Sequence, residues 1–252
     1  MKHLDLDLTS PAENLAADEA LLDWCEAGAG EEILLFWEPC ETFVVVGYAN
    51  KIATEVNVAA CAQKNVPIFR RCSGGGTIVQ MAGGLNYSLI LRIEESGPTR
   101  NITSANQFIM ERNRQAIETG FGSQNSGARI SVRGHTDLTL VTDRSSLITE
   151  KKFAGNSQRR RKNFLLFHGT LLLNCDLALV SELLAMPSLQ PDYRASRPHA
   201  EFVTNLPLPA ETVKTALIQG WNAGESLENP PRENIAKLAR EKYATTEWNF
   251  KF

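Results

Sequence analysis

Apolar residues recur at helical spacing in some segments and crowd into short runs in others, and the change between the two patterns sets the predicted elements. From Pro11 to Glu26 the stretch PAENLAADEALLDWCE places Leu15, Leu22 and Trp24 among strong helix formers. Ser10 before Pro11 supplies a cap and a first helical position, so this stretch predicts a helix. ILLFW (Ile33–Trp37) and FVVVG (Phe43–Gly47) are β-branched and aromatic runs around the turn-forming Glu38-Pro39-Cys40-Glu41. They predict two buried strands paired with each other. A helix over about Glu55–Lys64 is followed by strands at VPIFRR (Val66–Arg71), TIVQ and LNYSLILRI (Leu85–Ile93). A helix over Ser104–Glu118 then precedes strands at Ala128–Val132, Asp137–Val141, Ser146–Gly155 and Phe164–Asn174. The last third predicts helices at Ala178–Ala185, Ala210–Ala223 and Glu233–Tyr243, with a polar connection through Pro191–His199. Strands that cluster instead of alternating with helices indicate a single α+β domain over residues 1–252, with a mixed or largely antiparallel sheet flanked by helices.

Charge and cysteine content narrow the possibilities. Against 26 Lys+Arg stand 29 Asp+Glu, a net charge of −3, so no strong field favours nucleic acid or an anionic membrane. No uncharged apolar run approaches the ~18 residues of a membrane span. Five cysteines (Cys25, Cys40, Cys61, Cys72, Cys175), an odd number without a CxxC pair, argue against a disulfide framework or a zinc site and fit a reducing cytoplasm.

Three segments carry candidate chemistry. In Arg70-Arg71-Cys72-Ser73-Gly74-Gly75-Gly76-Thr77, consecutive glycines let the backbone approach a ligand and aim N–H groups at an anion, and two arginines can pair with phosphate or carboxylate. A plain glycine-rich hairpin is the alternative, and the spacing and lysine of a nucleotide P-loop are missing. In Lys151-Lys152-Phe153-Ala154-Gly155, Lys152 lies three residues before a glycine at an expected strand end, where it can present a fixed cation to developing phosphate charge. The run Arg159–Lys162 that follows reads as a solvated basic hairpin, or as a rim that steers an acidic partner. His168-Gly169-Thr170 interrupts an apolar strand, where a buried structural histidine is the default and the glycine indicates close backbone approach.

Taken in order, NLAADEALL, RRCSGGGTIV, LNYSL, GHTDL, KKFAGNSQRR, HGTLLLNCDL and VTNL resemble the lipoate–protein ligase A family of the biotin/lipoate A/B protein ligase superfamily, over about Asn14 to Leu206. The resemblance implies a catalytic domain similar to that of class II aminoacyl-tRNA synthetases. It implies activation of lipoate by ATP and magnesium to lipoyl-AMP, then transfer to a lysine of a lipoyl acceptor domain of 2-oxoacid dehydrogenases or of the glycine cleavage H protein. By position, Arg70, Arg71, Ser73, Gly74, Gly75, Gly76 and Thr77 would line the acyl and phosphate region. Lys152 would be catalytic, contacting the carboxyl oxygen and the α-phosphate, with Gly155, His168 and Gly169 beside it, and Asp137 would sit near the nucleotide or its magnesium. Where the family carries a His-Asp pair this chain has Gln80-Met81. With Phe252 as the last residue no C-terminal accessory domain is expected, so that adenylation would call on a separate partner protein. Two alternatives stand. One is an octanoyl- or lipoyltransferase working through a cysteine thioester, although the two positions where its branches carry that cysteine read Asp137-Leu138-Thr139 and Thr204-Asn205-Leu206, leaving Cys72 and Cys175. The other is a non-catalytic module that binds a lipoyl-like ligand, or RNA through Arg159–Lys162.

Overall fold

The chain's structure, a computed structural model, describes residues 1–6, 8–121, 128–144 and 147–252. In order, the elements are β1 (Lys2–Asp5), α1 (Pro11–Trp24), β2 (Ile33–Trp37), β3 (Phe43–Val46), α2 (Ile52–Glu55), α3 (Val58–Gln63), β4 (Ile68–Arg70), β5 (Ile78–Gln80) and β6 (Gly84–Arg92). Then come α4 (Ile102–Phe121), β7 (Ala128–Arg133), β8 (Asp137–Arg144), β9 (Leu147–Arg160), β10 (Phe164–Leu172), α5 (Ala178–Leu183), α6 (His199–Phe202), α7 (Ala210–Trp221), β11 (Glu225–Ser226), α8 (Arg232–Leu238) and α9 (Thr246–Asn249). An eight-stranded sheet has the order β11-β1-β2-β6-β10-β9-β8-β7, and a three-stranded sheet the order β4-β3-β5. The β11–β1–β2 corner is parallel and the remaining pairs of the large sheet are antiparallel, which makes it the mixed sheet of an α+β fold.

Alternation along the central strands divides the large sheet into two faces. Leu85, Tyr87, Leu89 and Leu91 of β6, with Leu165, Phe167 and Leu171 of β10, pack in one core with Ile109, Met110 and Ile117 of α4 and Val213 and Leu217 of α7. The opposite face carries Ile33, Leu35, Ile90 and Leu166, covered by α1, Phe43 and Val45 of β3, and Ile235 of α8. In that otherwise apolar face the register aligns a polar row. Ser88 lies opposite His168 and His168 opposite Ser157, while Asn86, Thr170, Gly155 and Asp137 continue the row one step along.

Several elements differ from expectation. β2 and β3 do not pair, because β2 lies between β1 and β6 while β3 is the centre of the small sheet. Their continuous apolar runs reflect burial of every residue, a pattern that reports cover on both faces and not the identity of a partner. The helix expected at Glu55–Lys64 is two short helices, broken where Asn57 Oδ1 accepts the Ala60 N–H at 3.3 Å and caps the second. β9 does not end at Gly155 but pairs on with β10 as far as Arg160, so Lys152 lies well inside a strand. Ser146, the expected start of that strand, lies outside the described residues. Among the described residues no helix is long and apolar enough to cross a membrane.

Candidate active site

Lys152 owes its orientation to an irregularity in the sheet. Leu138 pairs with Ala154 and Thr139 with Lys152, leaving Phe153 as an extra residue on β9. Phe153 and Ala154 both enter the α4/α7 core. A strict period of two would have sent Lys152 to that core, whereas the bulge returns it to the polar row with Gly155 and Asp137. Its Nζ stands 2.7 Å from Asp137 Oδ1, and Asp137 Oδ2 accepts the Tyr193 hydroxyl at 2.7 Å. Burial, reinforced by the Asp137 charge, drives the Tyr193 pKa up, so that phenol stays protonated as a donor. Gly155 is the floor of this arrangement, since a Cβ there would lie 2.7 Å from Lys152 Nζ. The Val203–Leu206 segment runs alongside, with the Thr204 N–H donating to the Lys152 carbonyl at 2.9 Å.

The glycine loop joins β4 to β5 over the same face. Arg71 braces it from within, its Nη2 donating to the carbonyls of Gly74 and Gly76 at 2.6 and 2.7 Å and its Nε to Ser73 Oγ at 3.1 Å. Burial brings the Arg71 pKa down to about 10. Gly75 adopts a left-handed φ of 84°, and a Cβ on Gly47 would overlap the Gly75 carbonyl, so both need to be glycine. The carbonyls of Ser73, Gly74 and Gly76 are engaged, while the N–H groups of Gly74, Gly75 and Gly76 donate to no protein atom among the described residues. They are the donors available to an anion. Thr77 is tied to the neighbouring turn through Asn50 Nδ2 at 3.4 Å.

Arg70 sits elsewhere than in an open cleft. It is fully buried, its Nη1 donating to the carbonyls of Gly47, Tyr48 and Asn50 and its Nε to that of Asn249 at 3.1 Å. The Asn249 side chain accepts the Arg70 N–H and Trp248 Nε1 donates to the Arg70 carbonyl, so α9 clamps β4 immediately before the loop. Of its guanidinium nitrogens, Nη2 alone has no hydrogen-bond partner among the described residues.

His168 is part of a relay that the strand pattern alone did not reveal. Its Nε2 lies 2.5 Å from Ser73 Oγ and its Nδ1 2.6 Å from Asp18 Oδ2, while Ser88 Oγ donates to Asp18 Oδ1 at 2.5 Å. Gly169 faces the other way. It pairs with Tyr87 and Asn156 on the α4/α7 side, where a Cβ would overlap the Asn156 amide, so its close approach serves the core and not the site. Gln80 forms a closed buried network, donating to Asn86 Oδ1 at 2.8 Å and Thr170 Oγ1 at 2.9 Å, and Met81 joins the small sheet's core.

Residues 10–221 match the lipoyl protein ligase A/B catalytic domain. The chain belongs to that family. It is 28% identical to octanoyltransferase LipM of Geobacillus kaustophilus, covering 99% of this chain and 98% of that one. It is also 28% identical to lipoate–protein ligase 1 of Staphylococcus aureus, over 97% of this chain and 71% of that one. Among solved structures, a bi-partite lipoate protein ligase from Thermoplasma acidophilum, described with its E2 lipoyl domain, superposes with a TM-score of 0.77 at 25% identity, covering 99% of this chain and 96% of that one. A lipoate-protein ligase A bound with ATP gives 0.75 at 26% identity, covering 99% of both chains.

Within this lipoyl ligase A/B domain the thiols lie in poor positions for nucleophilic work. Burial pushes Cys72 up to about 12 and raises Cys175 as well, and of the five cysteines only Cys40 is exposed. The arginine run is not a solvated patch. Arg159 donates to the Cys72 carbonyl at 2.6 Å, Arg160 to the carbonyls of Thr99 and Arg100, and Arg161 pairs with Asp23 at 2.6 Å. Its charge is met by Glu19, 4% exposed, which also accepts Lys242 Nζ at 2.5 Å and Tyr243 OH at 2.8 Å. Asp18, Glu19, Tyr193 and Asn249 escaped the sequence reading. For the first two a signal existed: two adjacent acids inside a helix of alanine and leucine must find partners if that helix is buried.

Proposed function

We propose that this protein is a lipoate–protein ligase that forms lipoyl-AMP and passes the lipoyl group to a lysine of an acceptor domain. The observation that carries this reading is Lys152, fixed by the β9 bulge beside Asp137 on the same sheet face as the unengaged N–H groups of Gly74–Gly76. The lipoate carboxylate attacks the α-phosphorus and pyrophosphate leaves. The acceptor amine then attacks the acyl carbonyl and AMP leaves. Negative charge gathers on the phosphoryl and carbonyl oxygens in the two steps, and a lysine with backbone donors stabilises it without a protein nucleophile. Ser73 and the loop from Gly74 to Thr77 would flank the acyl carboxyl and the phosphates, with Arg71 bracing them. Asp137 has its two oxygens taken by Lys152 and Tyr193, and no cluster of three or more His, Cys, Asp or Glu side chains stands among the described residues, so a magnesium ion would enter with the ATP phosphates and take its ligands from them and from water, with Asp137 joining only by releasing one of its partners. Bound there, the ion would neutralise phosphate charge.

The ATP-bound ligase and the Thermoplasma ligase with its E2 lipoyl domain, both matched nearly end to end, support ATP as co-substrate and a lipoyl-domain lysine as acceptor. We place residues 1–252 in one catalytic unit in the cytoplasm, and the bi-partite neighbour supports a separate accessory protein for adenylation. The second reading, octanoyl transfer without ATP, is favoured by the names of the LipM relatives. Lipoate-dependent exchange of pyrophosphate into ATP separates the two. Exchange, alone or with an accessory protein, supports the ligase, and its absence together with acyl transfer from a carrier thioester supports the transferase.

A further inference from the structure

We infer that Ser73, His168 and Asp18 form a nucleophilic triad able to take an acyl group from a thioester as a serine ester and hand it to an amine. The inference rests on the second reading above, acyl transfer from a carrier thioester, and not on lipoyl-AMP. The geometry has each required part. Ser73 Oγ lies 2.5 Å from His168 Nε2, and His168 Nδ1 lies 2.6 Å from Asp18 Oδ2, which fixes the tautomer that leaves Nε2 free to accept a proton. Asp18 is itself held by Ser88. The N–H of Gly74, directly after the nucleophile, and that of Gly75 have no protein acceptor among the described residues and supply oxyanion donors. Ser73 is 1% exposed beneath the exposed Gly74–Gly76, and a Cβ built at Gly74 or Gly76 meets nothing within 4 Å, so the loop's outer side is open. An entering carbonyl displaces the contact of Arg71 Nε with Ser73 Oγ.

In the first step Ser73 Oγ bonds to the thioester carbonyl carbon and its proton passes to His168 Nε2. The C–S bond breaks, and the thiolate leaves with that proton. In the second step an amine attacks the ester carbonyl, giving a proton to His168, which returns it to Ser73 Oγ as the C–O bond breaks. One thioester and one amine give one amide and one thiol, with no redox change. This chemistry needs no cysteine, and the buried thiols of this chain are poorly suited to supply one.

The test is incubation of the full chain with octanoyl-pantetheine thioester, without ATP or acceptor, followed by intact-protein and peptide mass spectrometry. We expect one octanoyl group on the peptide containing Ser73, stable to neutral hydroxylamine as an ester is, and lost in Ser73→Ala. Asp18→Asn should slow its formation by about 10⁴-fold. Ser73→Cys, which preserves the side chain's shape, should give a hydroxylamine-labile thioester at the same position. No adduct on the wild type, or an adduct that persists in Ser73→Ala, overturns the triad. Since ATP is absent, either result leaves lipoyl-AMP formation to be judged separately.

Discussion

Replacing Gly155 by Ala tests whether the position of the Lys152 ammonium governs the chemistry. The added Cβ would stand 2.7 Å from Nζ and 2.8 Å from Cε of Lys152, both well inside van der Waals contact. The end of a flexible side chain yields before the backbone does, so the ammonium retreats by roughly 1 Å, a displacement that can cost about 100-fold in rate when it misplaces a charge-stabilising group. That factor corresponds to about 2.7 kcal/mol of transition-state stabilisation. Gly155 is not among the residues of positive φ, so alanine is tolerated by the backbone and stabilises the fold by about 0.4–1 kcal/mol through the unfolded chain. Weakening the partly exposed Lys152–Asp137 pair costs a similar amount. The variant should therefore melt within a few degrees of wild type while transferring the lipoyl group from lipoyl-AMP about 100-fold more slowly. The double variant with Lys152→Ala should be no slower than Lys152→Ala alone, because both changes act on one ammonium. Transfer within about threefold of wild type, or a loss that tracks unfolding, would refute the reasoning.

Arg161→Glu places a third carboxylate beside Glu19 and Asp23, and should lower stability by about 1–2 kcal/mol in urea unfolding while leaving the KM for acceptor domain little changed. Iodoacetamide at pH 8 should modify Cys40 and spare Cys72, whose burial pushes its thiol up to about 12, and Cys72→Ala should leave lipoyl transfer from lipoyl-AMP intact. Burial and the nearby Arg194 bring His199 down to about 4 from the usual 6.5, so the unfolded chain binds the proton first as pH falls. Stability should decline by on the order of 2 kcal/mol between about pH 6.5 and pH 4, and His199→Gln should flatten that decline.

Most strands and helices were legible because their apolar runs are long and their punctuation is strong, as at Pro11, Gly74–Gly76 and Pro209, whereas the short polar-flanked β1 and β11 at one end of the large sheet carried no such run and were not predicted. Partnering was not, because the burial of β2 and β3 reports that each is covered and not by what. The site was legible as a list of residues, but its geometry was hidden at one position. The bulge at Phe153 decides which face Lys152 points to, and nothing in KKFAG announces it. Arg70 and Arg71 illustrate the same limit: two adjacent arginines before a glycine loop suit an anion site equally well as ligands or as internal braces. The structure engages both with backbone carbonyls. Asn249, far along the chain, could be found only through the fold that brings it onto β4.

The most direct test of the proposed function is transfer of the lipoyl group from synthetic lipoyl-AMP to an apo lipoyl domain, read by mass spectrometry of the acceptor, because it bypasses any accessory protein needed for adenylation. Wild type should lipoylate a single acceptor lysine, and Lys152→Ala should do so on the order of 10²–10³-fold more slowly while still unfolding cooperatively, with a melting temperature lowered by only a few degrees through loss of the Asp137 pair. If wild type leaves the acceptor unmodified, or if Lys152→Ala transfers as fast as wild type, the account of this site is contradicted.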